Sequence, residues 1–383
     1  MTYRVVYLDH VARLSGGEIA LARILSALND QVDAHVIVGE DGPLVERLRD
    51  ANISVEVLPM AAVVRDIRKE SVRPGGLKGR ALAGSANYVW RLRRRLRELA
   101  PDVVHTNSLK AALYGGAAGR LAGIPVVWHI RDRIAPDYLP TAAVWAVRAS
   151  AQILPSAVIA NSRSTLKTIP RLHKGVTVVD PVIYDRVGKL PPASEAGRPY
   201  RIGVVGRLAP WKGQAHFIDA FARAFPNGDC EAWIIGSAMF GEDNYAASLR
   251  EKVRRSGLTE RIEFRGFRDD IWDELAQIDT LVHCSLTPEP FGQVVVEGMV
   301  AGIPVIASDA GGPAEIITDG VDGILTSPGD AAALADAMRR LHNDPSLRHT
   351  LAARGRKTAL RFSPEHAATQ VIAVYEQVIS HRR

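Results

Sequence analysis

Residues 284–315 read CSLTPEPFGQVVVEGMVAGIPVIASDAGGPAE, and this stretch decides the fold. The apolar run 281–284 reads as a buried strand that ends at polar Ser285. Pro288 and Pro290 then keep the chain extended, because a proline ring disfavours α geometry in the residue before it. From Gln293 the pattern turns helical through Val294, Val295, Glu297 and Met299, and it stops at Ala301-Gly302. Residues 305–307 form the next strand, and Asp309-Ala310-Gly311-Gly312-Pro313 is a second tight loop. Two strand ends thus meet one helix N-terminus.

That geometry has a chemical use. The free N–H groups of a helix's first turn, with the helix dipole, favour an anion, and glycines let a ligand approach the backbone closely. Glu289 precedes the helix and Glu297 follows its first turn. Ionised carboxylates only accept hydrogen bonds, which suits sugar hydroxyls. The stretch therefore reads as a diphosphate held on the amides of Phe291, Gly292, Gln293 and Val294, with a hydroxyl-bearing ring on either side. Two plainer readings stay open: a strand–loop–helix with solvated acids, or an acid/base pair whose side chains would have to converge.

Working outward, 383 residues exceed the usual size of one hydrophobic core, so two domains are expected. A hydrophobic fraction of 47% with 23% charged residues suits a globular protein, and no apolar run reaches the length of a membrane helix. The start, MTYRVVYLDH, reads as a first strand without the layout of a signal peptide. Cys230 and Cys284 both lie in apolar strand patterns and read as buried thiols of a cytoplasmic protein.

The net charge of +6 is unevenly spread, with eleven basic residues against two acids between 65 and 97. With Tyr88 and Trp90 beside it, this segment suits peripheral contact with anionic lipid at the inner face of a membrane. It also suits nucleic acid. The plainer reading, a solvated helix face with Trp90 and Leu92 buried on one side, is preferred, and nucleic acid is set aside because two carboxylates in a phosphate site repel its backbone.

Strands at 3–8, 34–38 and 54–58 alternate with helices at 18–28 and 44–49, the signature of a parallel sheet covered on both faces. Ser15-Gly16-Gly17 follows strand one without forming a GxGxxG fingerprint. A strand at 102–105 ends in His105-Thr106-Asn107-Ser108, one at 125–128 ends at His129, and one at 158–160 ends in Asn161-Ser162. Such strand ends share a crevice in a doubly wound sheet. Residues 181–199, with four prolines and little periodicity, read as a linker.

The alternation then restarts with strand 201–205, the loop from Gly206 to Gly213 and helix 214–225. Strand 232–235 runs into Gly236-Ser237, and 262–264 precedes Gly266-Phe267. Arg207 and Lys212, five residues apart in that first loop, both suit phosphate oxygens. No His, Cys and Asp cluster looks like a metal site, and no Gly-Lys-Ser/Thr marks a phosphate-binding NTPase loop. The expected domains are 1–190 and 198–363, followed by a C-terminal helix in 364–383 that packs back on the first domain.

These residues resemble a known family. Glu289-Pro290-Phe291-Gly292, Glu297-Gly298-Met299, the run from Ala301 to Ser308, Gly311-Gly312 and Glu315 are similar to the family 4 retaining glycosyltransferases of the GT-B fold. So are Gly206-Arg207-Leu208 with Lys212-Gly213, Arg265-Gly266-Phe267, and Gly16-Gly17. The likeness runs from about residue 3 to 375, strong in the second half and loose between 60 and 100.

The resemblance implies an α/β architecture of two Rossmann-like, doubly wound parallel-sheet domains facing a central cleft. The first would bind a hydroxyl-bearing acceptor and the second a nucleoside-diphosphate sugar, a UDP- or GDP-sugar. Glu297 would hold the ribose hydroxyls and Glu289 those of the transferred sugar. The amides of Phe291, Gly292, Gln293 and Val294 would grip the diphosphate with Arg207 and Lys212. Gly16 and Gly17 would close against it, Gly236 would line the donor site, and the backbone at Phe267 would meet the base. His129 matches the family's histidine beside the transferred sugar, but Ile130-Arg131-Asp132 after it departs from the family pattern. The implied reaction keeps the anomeric configuration and uses no bound metal or permanent cofactor. It moves a hexose or amino-hexose to a polysaccharide, lipid-linked or small natural-product acceptor. The alternatives are a nucleotide-sugar epimerase on the same fold, or a basic lipid- or nucleic-acid-binding module.

Overall fold

The computed structural model of the protein describes residues 2–28, 31–60, 79–170, 172, 175–178, 180, 197–228, 230–239, 241–268 and 270–381, with side chains from residue 83 onward in the helix Gly79–Leu99. Arg65, Arg68, Lys69, Arg73, Lys78 and most of the expected linker lie outside the described residues. The chain divides into two compact units, 1–182 with 362–383, and 183–361.

The first unit is built on a seven-stranded, all-parallel sheet. Its strands are β1 (Tyr3–Asp9), β2 (Val32–Val38), β3 (Ser54–Val57), β4 (Val103–Thr106), β5 (Val126–Ile130), β6 (Ala157–Ala160) and β7 (Gly175–Thr177). They lie in the order β3-β2-β1-β4-β5-β6-β7. Val5 pairs with Ala34 on one side and Val103 on the other, so the order reverses between β1 and β4. Strand side chains alternate between faces. Val5 and Tyr7 accordingly pack with Leu21, Leu44 and Val371, from the helices Gly16–Ala27, Pro43–Asp50 and Pro364–Ser380. Val6 and Leu8 pack with Leu92, Ala112 and Val147, from the helices Gly79–Leu99, Leu109–Ala122 and Thr141–Ile153. The C-terminal helix therefore belongs to the first unit. Val371, Val374, Tyr375 and Val378 are buried there, each contributing about 1.5–3 kcal/mol of apolar burial.

The second unit carries a six-stranded parallel sheet of β8 (Tyr200–Val205), β9 (Cys230–Ile235), β10 (Ile262–Gly266), β11 (Thr280–His283), β12 (Val305–Ser308) and β13 (Ile324–Thr326). Its order is β10-β9-β8-β11-β12-β13, reversing between β8 and β11. Apart from Gln293 and Glu297 the helix Gln293–Ala301 is apolar because it is covered on both sides, and every residue from Val295 to Ala301 is buried. A methyl group at Gly298 would sit 2.5 Å from Leu281 Cδ2. On the far side, Met299 meets Gly355 of the helix Pro345–Ala359.

Beyond the short helices Arg163–Lys167, Trp272–Leu275 and Pro313–Ile316, four elements and two positions differ from the sequence-based expectation. The helix Thr141–Ile153 buries only Val144, Val147 and Ala151. The helix Pro345–Ala359 buries only Leu351, Gly355 and Ala359. Stripes this narrow leave little periodicity to read, and β7 and β13 are three residues each. His129 lies within β5 and not after it, because the buried run continues to Ile130. Leu92 is buried as expected but Trp90 is 60% exposed. Residues two apart on a helix point to different sides and cannot share a buried face. Among the described residues no helix is long and apolar enough to cross a membrane.

Candidate active site

In the second unit the loops after β8 and β11 open side by side, because the strand order reverses between those two strands. Gly213 ends the first loop at φ +77°, and a Cβ there would lie 1.9 Å from the Cys284 carbonyl oxygen. Only glycine allows that close approach, and it sets Lys212 against Glu289. The Lys212 ammonium is 2.5 Å from Glu289 Oε1. Ser285 Oγ donates to the same oxygen, and His283 Nε2 lies 3.0 Å from it. Burial opposes ionisation of Glu289, but the Lys212 ammonium and the His283 imidazole override it and hold the carboxyl well below its usual range.

The loop carrying Glu289 is clamped from its other side. Its carbonyl accepts the Gly312 N–H at 2.8 Å, and a methyl group at Gly312 would sit 2.1 Å from the Phe291 carbonyl oxygen. Phe291 is buried, and Gly292 at φ +94° turns the chain into the helix Gln293–Ala301. The first-turn N–H groups of Gln293 and Val294 precede the point where intrahelical bonding begins. Gln293 Nε2 donates to Glu297 Oε1 at 3.0 Å. Glu289 and Glu297 thus engage different partners.

Arg207 and Lys212 flank the Trp211 ring, at 5.8 and 4.6 Å from its centroid. Arg207 also pairs with Glu242 at 3.3 Å. Gly236, at φ +137°, donates to the Gly266 carbonyl at 2.8 Å. Phe267, just beyond β10, is 56% exposed. These residues follow β8, β9 and β10, three neighbouring strands on the same side of the reversal.

The first unit gathers its own polar cluster around the end of β1 and β4. Ser15 caps the helix Gly16–Ala27 and exchanges hydrogen bonds with Glu18. Asn107 Nδ2 donates to Asp9 Oδ2 at 2.7 Å and to the Gly17 carbonyl at 3.2 Å. Arg131 donates to Asn107 at 3.0 Å and pairs with Asp180. A methyl group at Gly17 would lie 3.2 Å from Arg131 Cδ, so the arginine stem lies against that glycine. His129 is fully buried, with its Nδ1 3.2 Å from His105 Nε2 and its Nε2 3.9 Å from Asp180 Oδ1. Tyr375 OH lies 2.7 Å from His105 Nδ1.

Burial reshapes the acidities in this cluster. Burial and the nearby Arg131 push His105 down to about 3 and hold His129 well below the usual imidazole range. Burial lowers Arg131 to about 10. Burial with the Asp9 charge lifts Glu18 to about 7. For Asp9 itself burial is overridden by the hydrogen bond and charge of His10, and the net direction is downward.

The structure thus brings together Lys212, Glu289 and the start of the helix Gln293–Ala301, as well as Gly17, Arg131 and His129 within the first unit. His283, Glu242, Asp180 and Tyr375 were not singled out from the sequence. His283 is hidden inside an apolar strand, and the others are distant in the chain from the residues they touch. Among the described residues, no three His, Cys, Asp or Glu side chains gather as a metal ion would require.

Comparison with known proteins points one way. Residues 14–183 match the model described as Glycosyltransferase Family 4, and residues 190–358 match Glycosyl transferases group 1. The chain is 30% identical to a GDP-mannose-dependent alpha-mannosyltransferase of Mycobacterium tuberculosis, over 76% of its own length and 77% of the relative's. It is 26% identical to the 2-deoxystreptamine glucosyltransferase of Streptomyces kanamyceticus, over 96% and 100%. The Anabaena protein HepE, solved in complex with UDP and glucose, superposes with a TM-score of 0.84 at 28% identity, over 98% of this chain and 99% of HepE. The chain belongs to the family 4 glycosyltransferases and has their GT-B fold of two parallel-sheet α/β domains.

Proposed function

We propose that the protein transfers a hexose or amino-hexose from a UDP- or GDP-sugar to an acceptor hydroxyl, with retention of configuration and without bound metal. The observation that carries this reading is the Lys212–Glu289 pair beside the N-terminus of the helix Gln293–Ala301. An ammonium has three donors, so Lys212 can keep Glu289 and still donate to a phosphate oxygen. Arg207 and the amides at 292–294 add further positive potential for the departing diphosphate. Glu289, held ionised by its neighbours, accepts hydroxyls of the transferred sugar. Glu297, braced by Gln293, accepts those of the ribose. Gly236 and the backbone at Phe267 serve the donor's remaining groups.

In the retaining step the bond from the anomeric carbon to the phosphate oxygen breaks as the bond to the acceptor oxygen forms on the same face. The acceptor proton passes to the departing phosphate. The first unit carries the acceptor, with Gly16-Gly17 and His129 as its contribution to transfer. Support for the donor class comes from HepE, which is solved with UDP and with UDP-glucose, and from the mycobacterial relative's dependence on GDP-mannose. An aminocyclitol acceptor has the support of the 2-deoxystreptamine enzyme, which matches over nearly the whole chain.

Calorimetry with UDP, GDP and their sugars tests the assignment. Glu297→Ala is expected to weaken free nucleotide and donor together by about tenfold, the worth of a charge-assisted hydrogen-bond pair. Glu289→Gln is expected to spare free nucleotide and reduce transfer. Equal loss of nucleotide affinity in both variants refutes the division of roles, and no affinity of the wild type for any nucleotide diphosphate refutes the donor site.

A further inference from the structure

We propose that Ser285 is a positioning residue for Glu289: with Lys212 it holds one carboxylate oxygen, Oε1, so that the other, Oε2, meets the transferred sugar. The inference rests on the reading that Glu289 accepts hydroxyls of that sugar.

Each oxygen of an ionised carboxylate has two lone-pair sites. On Oε1 one is taken by the Lys212 ammonium at 2.5 Å and the other by the Ser285 hydroxyl. His283 Nε2 lies 3.0 Å from the same oxygen but off the line of a hydrogen bond, so its part is electrostatic. Oε1 therefore has no lone pair left for a ligand. Oε2 makes no hydrogen bond among the described residues, and it is not closed off from solvent. Glu289 keeps 9% of its side chain exposed, which is access enough for contact through that one oxygen. The two lone pairs of Oε2 suit two neighbouring hydroxyls of a hexose.

The division depends on Ser285 because the rest of Glu289 is already fixed. Its main chain bridges to Gly311, and its carbonyl accepts the Gly312 N–H at 2.8 Å. A methyl group at Gly311 would sit 2.3 Å from that carbonyl oxygen, so the two loops lie in direct contact. What remains free is rotation of the carboxylate about its side-chain bonds. Lys212 alone does not stop it, because an ammonium on a flexible four-carbon stem is a point charge that follows either oxygen. The Ser285 hydroxyl sits on a one-carbon stem, buried, two residues beyond the end of β11. It marks one oxygen and leaves the other to the ligand, the kind of fixed orientation on which transfer rates depend.

Hydrolysis of UDP-glucose or GDP-mannose, whichever the wild type turns over, tests this in the full chain without an acceptor. Ser285→Ala is expected to lower kcat about fivefold, the worth of one hydrogen bond, with the affinity for UDP or GDP unchanged in calorimetry. An unchanged kcat overturns the proposal. A folded variant that loses nucleotide affinity in parallel also overturns it, since Ser285 would then support the loop as a whole. Glu289→Gln supplies the second readout. Because Ser285 acts only through the carboxylate, adding Ser285→Ala to Glu289→Gln is expected to leave kcat where Glu289→Gln alone puts it. Losses that multiply overturn the proposal. In a crystal structure of the wild type with the same nucleotide sugar, the oxygen against the sugar is expected to be the one that Ser285 does not hold. A carboxylate that offers the sugar its Ser285-bound oxygen overturns the proposal whatever the variants do. Glu289→Gln with full turnover would instead refute the part given to Glu289 in transfer, and would leave the hold on Oε1 standing.

Discussion

Replacing Lys212 with Met probes the candidate donor site through its electrostatics. Met keeps most of the apolar stem against Trp211 and removes the charge 2.5 Å from Glu289. The two side chains are only 17% and 9% exposed, so solvent cannot replace the lost ion. Breaking a buried pair by removing one partner costs about 3–5 kcal/mol. In a unit of this size that lowers Tm by on the order of 10 °C. The pH dependence gives the sharper test. In the wild type the Glu289 pKa is depressed, so its contribution is present above the unfolded carboxyl value of 4.5 and is lost as pH falls through the lower folded value. Without Lys212 only His283 opposes burial, and the folded pKa is expected to rise above 4.5, so that stability is lost as pH climbs. The gap between wild type and variant should therefore widen from pH 4.5 to pH 8 in thermal unfolding followed by circular dichroism. Adding Glu289→Gln to Lys212→Met should recover most of the loss, because no buried charge then remains unpaired. A gap independent of pH, or a double variant no more stable than the single, would refute the reasoning.

Three further outcomes are expected. Transfer activity should survive EDTA, since side-chain cations and amides carry the diphosphate charge, and activity that vanishes and returns with Mg²⁺ or Mn²⁺ would contradict that account. Glu18 is raised to about 7, so its favourable contribution is present below 4.5 and is lost as pH rises through 7. Glu18→Gln should thus match wild type near pH 5 and melt higher at pH 8.5, and equal melting at both would show that Glu18 is not buried as an acid. For the basic helix, Arg95 is occupied by Glu56 and Glu98 and Arg91 by the Pro59 carbonyl. Arg94 is 78% exposed and its pair with Glu98 is long, at 3.6 Å, so the membrane test belongs to Trp90, Arg94 and Arg97. Trp90→Ala with Arg94→Gln and Arg97→Gln should reduce sedimentation with anionic vesicles at low salt, each charge being worth about 1 kcal/mol at most. A wild type that stays in the supernatant at low salt removes the lipid reading.

Much of the fold was legible because a parallel sheet covered on both faces writes itself as short apolar runs between helices. The helix Gln293–Ala301 runs between the same two residues that its glycine stops and apolar pattern indicated. Both sheets' central strands were likewise visible in the pattern of apolar runs. The helices Thr141–Ile153 and Pro345–Ala359 were not, because each buries three small or medium side chains and needs no broad stripe.

For the site, local chemistry named Lys212, Glu289, Glu297 and the helix start, since glycines, prolines and carboxylates at fixed spacing constrain the backbone wherever they occur. The sequence by itself determined the alternation of strands and helices and the residue types at the strand ends. Tertiary structure alone decided the partners. His283 meets Glu289 because β11 turns it inward. Arg207 is shared with Glu242 across 35 positions of chain. His129 lies against His105, which meets Tyr375, a tyrosine 246 residues after His129. Hydrogen-bond direction and acidity depend on distance and burial in three dimensions, and neither quantity is carried by the order of residues along the chain.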